Sequence, residues 1–171
     1  MKKLTKIGLS TVEKLGEYKM EILNRVLESD KLTKLIKYST RDALFKPSLE
    51  DPYELMHTHI YPYRFMPVTV DEQKTFLTLG VNGFRRHQEG FKTFDDYLSG
   101  ELYFYLFTHH DLMRTDTGVR QDLMLGEIVK MFEGTKGLGM GELKMRYVNE
   151  LWMHNNKFGG YSIAFTVTDL K

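Results

Sequence analysis

Histidine and aspartate side chains in two short clusters are the residues of this sequence best suited to metal or acid–base chemistry. His57 and His59 are separated by one residue and would share one face of an extended segment. His109 and His110 directly precede Asp111 at the end of a predicted strand. Imidazole and carboxylate groups are the ligands of zinc, manganese and iron sites. One hypothesis is therefore a small metal-dependent hydrolase whose two-histidine site is closed by the aspartate.

Ordinary structural roles compete with that hypothesis, and the other chemical patterns are weaker still. Neutral imidazoles often occupy hydrogen-bonded positions, and the spacing of these clusters matches no recognised ligand motif. The glycine-rich run 134–141 follows a predicted helix and precedes a predicted strand, the reverse of a phosphate loop. Adjacent side chains such as Asp95 and Asp96 point apart and make a poor acid/base pair. We therefore expect no enzyme, no catalytic residue, no metal site and no cofactor.

Length and composition limit the remaining classes of fold and function. The chain has 171 residues, a formal net charge of +1 and no cysteine. This charge gives no general attraction to nucleic acid or to an anionic membrane, and the lack of thiols excludes disulfides, cysteine zinc sites and thiol catalysis. No apolar stretch approaches membrane-spanning length. We expect one domain over 1–171, with a basic tail at 1–10, N-terminal helices at 11–45 and a sheet-plus-helix core at 59–171.

The N-terminal part of the chain carries helical patterns. Ser10 and Glu13 form a capping box, and apolar residues then recur at helical spacing as far as Leu27. Asp30 is the predicted cap of a second helix, and Asp51 followed by proline predicts a short third one. The first two helices are expected to form a helical pair before the core.

From about residue 73 the pattern changes to strands. Alternation predicts strands over 74–82, 101–109, 143–152 and 161–168, with one helix over 119–132. The last two strands are separated by an asparagine- and glycine-rich turn, which predicts a hairpin. The fold class is therefore α+β, with a mostly antiparallel sheet of about four strands flanked by helices.

A predicted loop over 83–100 is the main candidate for an interaction surface. It interleaves aromatic and basic residues, which suits a protein partner or a nucleic-acid strand, although the neutral net charge argues against nucleic acid. Packing of the loop onto its own domain is the alternative. The interface candidates are Phe84, Arg85, Arg86, Phe91, Lys92, Phe94 and Tyr97.

The order of elements resembles that of neck and tail-completion proteins of tailed bacteriophages, such as tail terminators and head–tail joining proteins. The resemblance covers about residues 30–170, as architecture and scattered hydrophobic positions rather than as a diagnostic motif. The segments that carry it include Leu32-x-x-Leu35-Ile36-Lys37-Tyr38, Arg120-x-Asp122-x-Met124-x-x-Glu127-Ile128 and Gly160-Tyr161-Ser162-Ile163-Ala164-Phe165.

The resemblance implies a structural protein of the virion, at the neck or tail, assembled in the cytoplasm of a bacterial host. Such proteins are small α+β subunits that form rings, typically hexamers, and contact neighbouring neck or tail proteins. It implies no membrane, no small-molecule substrate and no cofactor. The basic residues Arg85, Arg86 and Lys92 would meet genomic DNA if the loop faced the ring lumen. A monomeric protein-binding module is a further alternative beside the hydrolase.

Overall fold

The computed structural model describes residues 14–65, 72–86, 98–136, 138, 141–153 and 157–169. Within these ranges the helices are α1 (Leu15–Glu28), α2 (Asp30–Lys37) and α3 (Arg120–Phe132), with 3-10 turns at Ala43–Phe45, Pro52–Leu55 and His110–Leu112. The strands are β1 (Ile60–Tyr61), β2 (Thr75–Arg86), β3 (Leu98–His109), β4 (Arg114–Thr115), β5 (Gly118–Val119), β6 (Glu142–Met153) and β7 (Phe158–Asp169). The predicted basic tail and its capping box lie outside the described residues.

The chain turns between α1 and α2 at a single serine. The backbone N–H of Ser29 donates to the Val26 carbonyl at 3.2 Å, which ends α1. Its side chain accepts the Leu32 N–H at 3.3 Å, which caps α2. The prediction that Asp30 is this cap was wrong, because Asp30 is the first helical residue and its carboxylate pairs with Lys34 at 2.7 Å. The predicted cap at Asp51 is confirmed.

The main sheet has five strands in the order β1-β2-β3-β7-β6. The pairs β2–β3, β3–β7 and β7–β6 are antiparallel, and β1 pairs parallel to β2. The α+β class, the mostly antiparallel sheet and the β6–β7 hairpin were all predicted. The fifth strand was not, because two residues are too few to show alternation. A short antiparallel β4–β5 ribbon, which the sequence analysis did not predict, precedes α3.

The loop predicted over 83–100 is shorter than expected at both ends. β2 continues to Arg86 and β3 begins at Leu98. Gly83 has a φ of 61°, and the β2–β3 register shifts between Asn82 and Arg85. A bulge of this kind lets a strand continue past a glycine that resembles a strand end in the sequence. Residues 87–97 lie outside the described residues.

One face of the sheet carries the core and packs against all three helices. Strand alternation directs large apolar side chains to this face. Those from the sheet include Leu77, Leu79, Leu102, Phe104, Leu106, Ile163, Phe165 and Val167, and those from the helices include Ile22, Leu23, Val26, Leu35, Ile36, Met124, Ile128 and Phe132. The opposite face is called the outer face below. In the described parts of the chain, no helix is long and apolar enough to cross a membrane.

Arg120, at the start of α3, ties the helices to the end of β3. Its side chain is fully buried. The guanidinium donates to the carbonyls of Leu112 at 2.8 Å, Tyr38 at 2.9 Å and Thr40 at 2.8 Å, and also to that of Leu35. Burial lowers the pKa of this guanidinium. One cation therefore satisfies carbonyl groups that would otherwise be buried without donors where α2 ends.

Candidate functional site

His109 and Asp111 form a local structural cap. The His109 ring is 2% exposed and packs edge-on against Phe158, with 5.4 Å between the ring centroids. Its Nδ1 accepts the backbone N–H of Asp111 at 3.2 Å. The Asp111 carboxylate accepts a hydrogen bond from Gln73 Nε2 at 2.8 Å. These bonds hold the 3-10 turn after β3 and occupy Nδ1 of His109 and one oxygen of the Asp111 carboxylate.

His57 and His59 do not share the face of an extended segment, as the sequence analysis expected. Residues 57–59 form a turn, and His57 has a φ of 59°. The His57 ring lies beside Tyr63 and the His59 ring beside Phe76. The His59 Nδ1 also lies 3.1 Å from Thr58 Oγ1. The turn arises because the His57 N–H donates to the Ile60 carbonyl at 2.8 Å.

The two histidine clusters are not brought together as a metal site. Across the ranges that the structure describes, no three histidine, aspartate or glutamate side chains are placed to hold one ion. His154 lies outside those ranges. The hydrolase hypothesis therefore receives no support from the arrangement of its candidate ligands.

The partly buried His59 predicts a pH dependence of stability. Burial, followed by the Lys74 and Lys37 ammonium groups, lowers the pKa of His59 to about 4. An unfolded histidine titrates near pH ~6.5, so between about pH 6.5 and 4 the unfolded chain binds a proton that the folded chain does not. Stability must therefore fall as the pH falls through this window. Urea unfolding at a series of pH values should show a smaller loss for His59→Gln than for the wild type, and equal losses would contradict this assignment.

The interface candidates of the predicted loop do not lie together on one loop. One of them packs on the core and two lie in a strand. The Phe84 ring packs on the chain's own core, and a Cβ added at Gly100 would come within 2.5 Å of it. Arg85 and Arg86 belong to β2, where they pair with Ser99 and Leu98. The other candidates, Phe91, Lys92, Phe94 and Tyr97, lie outside the described residues. For Phe84 the structure thus favours the local-packing alternative.

The outer face of the sheet carries a row of aromatic side chains. Alternate residues of β3 place Tyr103, Tyr105 and Phe107 side by side. The Tyr103 and Tyr105 centroids are 5.9 Å apart with an interplanar angle of 15°, and those of Tyr105 and Phe107 are 6.4 Å apart at 3°. We call this row, together with Tyr61, Phe65, Phe76 and Phe158, the aromatic face.

A cavity opens on the aromatic face near β6. Its volume is about 360 Å³, and its lining consists of Arg64, Phe65, Thr78, Tyr105, Phe107, Leu151 and Trp152. The Arg64 guanidinium lies 5.5 Å from the centre of the Tyr105 ring. Trp152 is 66% exposed, although tryptophan normally buries most of its surface in a monomer. The cavity and the indole make this the described surface best suited to a partner.

At the Tyr103 end of the aromatic row, polar side chains form hydrogen bonds and an ion pair with one another. The Tyr103 hydroxyl donates to Glu101, whose carboxylate also pairs with Arg146. The Tyr103 and Tyr147 hydroxyl oxygens lie 2.8 Å apart. The hydrogen bond from Tyr103 is the largest cause of a lowered Glu101 pKa, and the same bond raises the pKa of Tyr103. These groups brace β3 against β6 and are already occupied with one another.

Comparison with protein families gives a match over most of the chain. The family model YomW matches residues 29–167, which include α2, α3 and all but the last two residues of the sheet. No curated protein matches the chain. The family is phage-associated, in agreement with the broader part of the resemblance noted in the sequence. The chain therefore belongs to the YomW family of phage-associated proteins.

Proposed function

We propose that this protein is a structural subunit of the phage particle that forms a closed ring at the neck or the head-proximal end of the tail. It would serve there as a tail terminator or a head–tail joining protein, in contact with neighbouring neck or tail proteins. The ring would be a hexamer, and its lumen would pass the genomic DNA. The subunit would act by assembly alone, without a substrate or cofactor.

The cavity on the aromatic face carries this proposal, since most of the aromatic side chains around it are themselves buried. Helices cover only the opposite face of the sheet, and the outer face presents a cavity beside an exposed tryptophan. Tryptophan, tyrosine and arginine dominate the binding energy of protein interfaces, above all around pockets that a partner fills. Trp152, Tyr105 and Arg64 supply all three types at one place. A subunit that must recognise fixed neighbours needs such a surface.

The polar groups beside this surface support assembly rather than catalysis. Glu101 is held by Tyr103 and Arg146, and the His109 ring is packed against Phe158. A general acid or base must reach a substrate proton. Groups already bonded to their own chain serve to keep the surface rigid, which lowers the entropic cost of binding.

Replacing the exposed indole should reduce assembly without unfolding the subunit. Because Trp152 is 66% exposed, Trp152→Ala should change the free energy of unfolding by less than about 1 kcal/mol. If the indole is an interface hot spot worth ~2 kcal/mol or more, incorporation into particles should fall at least about 30-fold. The measurement is infectious titre and subunit content of particles after complementation of a deletion in the phage.

Phe45→Ala is the matched control. Phe45 is 73% exposed and lies on a 3-10 turn after α2 rather than on the aromatic face. Its loss should leave titre and particle content unchanged. A Trp152→Ala subunit that is folded and fully incorporated would contradict the assignment of the assembly surface.

A further inference from the structure

The outer edge of β6 is protected over only part of its length. The Leu143 N–H donates to the Thr135 carbonyl at 3.0 Å, and the Leu143 carbonyl accepts the Gly134 N–H at 2.8 Å. The Met145 N–H donates to the Glu133 carboxylate at 2.6 Å. From 147 to 151 no backbone group in the described part of the chain pairs with this edge. Within the described ranges, the stretch 147–151 of β6 is therefore an unpaired edge.

This unpaired stretch also lacks the features that protect a strand edge. Proteins protect such edges with lysine, arginine, proline or a bulge. On β6 the bulge lies between Met145 and Tyr147, and Lys144 and Arg146 lie with it, next to the half that is already covered. Residues 147–153 contain one charged side chain, Glu150, and no proline. Such a segment is a template for pairing with another strand.

The opposite edge of the sheet also has a stretch without a neighbouring strand in the described ranges, between Thr78 and the bulge at Asn82 to Arg85. β1 pairs with Leu77 and Thr78 only, and the Leu77 N–H donates to the His59 carbonyl at 2.9 Å. Beyond Thr78, no strand in the described ranges lies outside β2, which runs on to Arg86. Among the described residues, 147–151 of β6 and the part of β2 beyond Thr78 thus have no backbone partner on their outer side.

The directions of these two edges suit a second copy of the chain. β2, β3, β7 and β6 are antiparallel in succession, so β2 and β6 run in opposite directions. A copy placed beside the sheet in the same orientation therefore brings its β6 antiparallel to β2. We propose that β6 of one subunit pairs with β2 of the next, so that the sheet continues from subunit to subunit around the ring. This inference rests on the proposed ring and names its subunit contact.

Hydrogen-bonding alternation selects a register for this contact. Leu77 and Leu143 direct their backbone N–H groups outward from the sheet. Because β7 pairs with β3 without irregularity, alternation gives the same outward direction to Val81 and Glu150. A register with Glu150 opposite Val81 matches these donors and acceptors and uses only the unpaired stretches. It also places Trp152 beside the β2 edge of the neighbouring copy.

This register suits a closed ring. Within one subunit Glu150 lies level with Leu77, through Tyr161 and Leu106. Pairing with Val81 therefore displaces the neighbour by about four residues, or ~14 Å at ~3.4 Å per residue. In this contact the sheet repeats every four strands (β2, β3, β7 and β6), or ~19 Å at ~4.8 Å spacing, so the displacement is a strand tilt of about 35°. Closed β-barrels have tilts of about 35–45°, close to this value.

Paired cysteine variants test the contact directly, since the natural chain has no cysteine. Residues opposite each other in a hydrogen-bonded antiparallel pair have Cα atoms ~5.5 Å apart, within disulfide range. The double variant Val81→Cys/Glu150→Cys should form disulfide-linked dimers and higher multimers on treatment with diamide. This is expected in purified particles and in the concentrated full-length protein. Each single variant should give no cross-link.

Three results would overturn the proposed contact. The first is a double variant that folds but does not cross-link. The second is a Glu150→Cys chain that cross-links to itself. The third is hydrogen exchange at the Val148 and Glu150 amides of the wild type that is equally fast in the ring and in the monomer. The first and second would exclude this pairing, and the second would show a symmetric β6–β6 contact. Particles that contain the chain without the cross-link would overturn only the contact, whereas particles that lack the chain would overturn the proposed function.

Discussion

Gly160→Ala is expected to abolish folding. Gly160 lies in β7 opposite Phe107 of the neighbouring β3. A Cβ at this position would come 1.7 Å from the Leu106 carbonyl oxygen and 2.7 Å from its carbon. Both strands are inside the sheet, so relief of the clash would separate β7 from β3. We expect a loss of more than ~4 kcal/mol, measured by urea unfolding or as loss of folded protein.

Gly126→Ala is the matched control for this prediction. Gly126 lies inside α3, and a Cβ there would meet no atom within 4 Å. Alanine favours the helix over glycine by about 1 kcal/mol, so this variant should be more stable than the wild type. A folded Gly160→Ala chain of wild-type stability would show that the β3–β7 pairing differs from the one described.

Arg120→Met is expected to cost about 3–5 kcal/mol. The guanidinium is fully buried and donates to the carbonyls of Leu35, Tyr38, Thr40 and Leu112. Methionine keeps most of the volume but leaves these acceptors without a donor, and each hydrogen bond to a charged group contributes ~1.5–3 kcal/mol. The loss is measured by urea unfolding, with hydrogen exchange at the end of α2 as a local readout.

Two further arginine variants make the prediction specific. Arg120→Lys keeps the charge but not the planar fork, so it should recover only part of the lost stability. Arg25→Met removes a solvent-accessible partner of Glu21 at 3.7 Å and should change stability by less than about 0.5 kcal/mol. If Arg120→Met lowered the free energy of unfolding no more than Arg25→Met, the hydrogen bonds of Arg120 would not be what holds α2 to the end of β3.

Periodicity predicted the elements well and their ends less well. The helical pair, the helix over 119–132 and the final hairpin follow from long apolar patterns, which tertiary contacts reinforce. The cap at Ser29 was assigned to Asp30 because both residue types cap helices and only the backbone geometry distinguishes them. The end of β2 was missed because Gly83 reads as a strand terminus, although its positive φ accommodates a bulge.

The candidate surface was only partly readable from the sequence. The alternate aromatic residues of β3 belonged to the pattern that predicted a strand over 101–109, and this pattern did not indicate an interaction surface. The cavity depends on Arg64 and Trp152, which are far apart in the chain and meet only through the β2-β3-β7-β6 order. Strand order is a long-range property that local patterns do not contain. Attention therefore fell on the aromatic and basic residues of the predicted loop, of which Phe84 packs inward.

The location of the chain in purified phage particles tests the proposed function most directly. Particles should be isolated by density gradient and examined by immunogold electron microscopy and quantitative mass spectrometry. We expect label at the junction of head and tail and a fixed, small copy number that matches one ring. Its absence from particles, with the folded chain remaining monomeric in the lysate, would contradict a structural role and favour a protein-binding module.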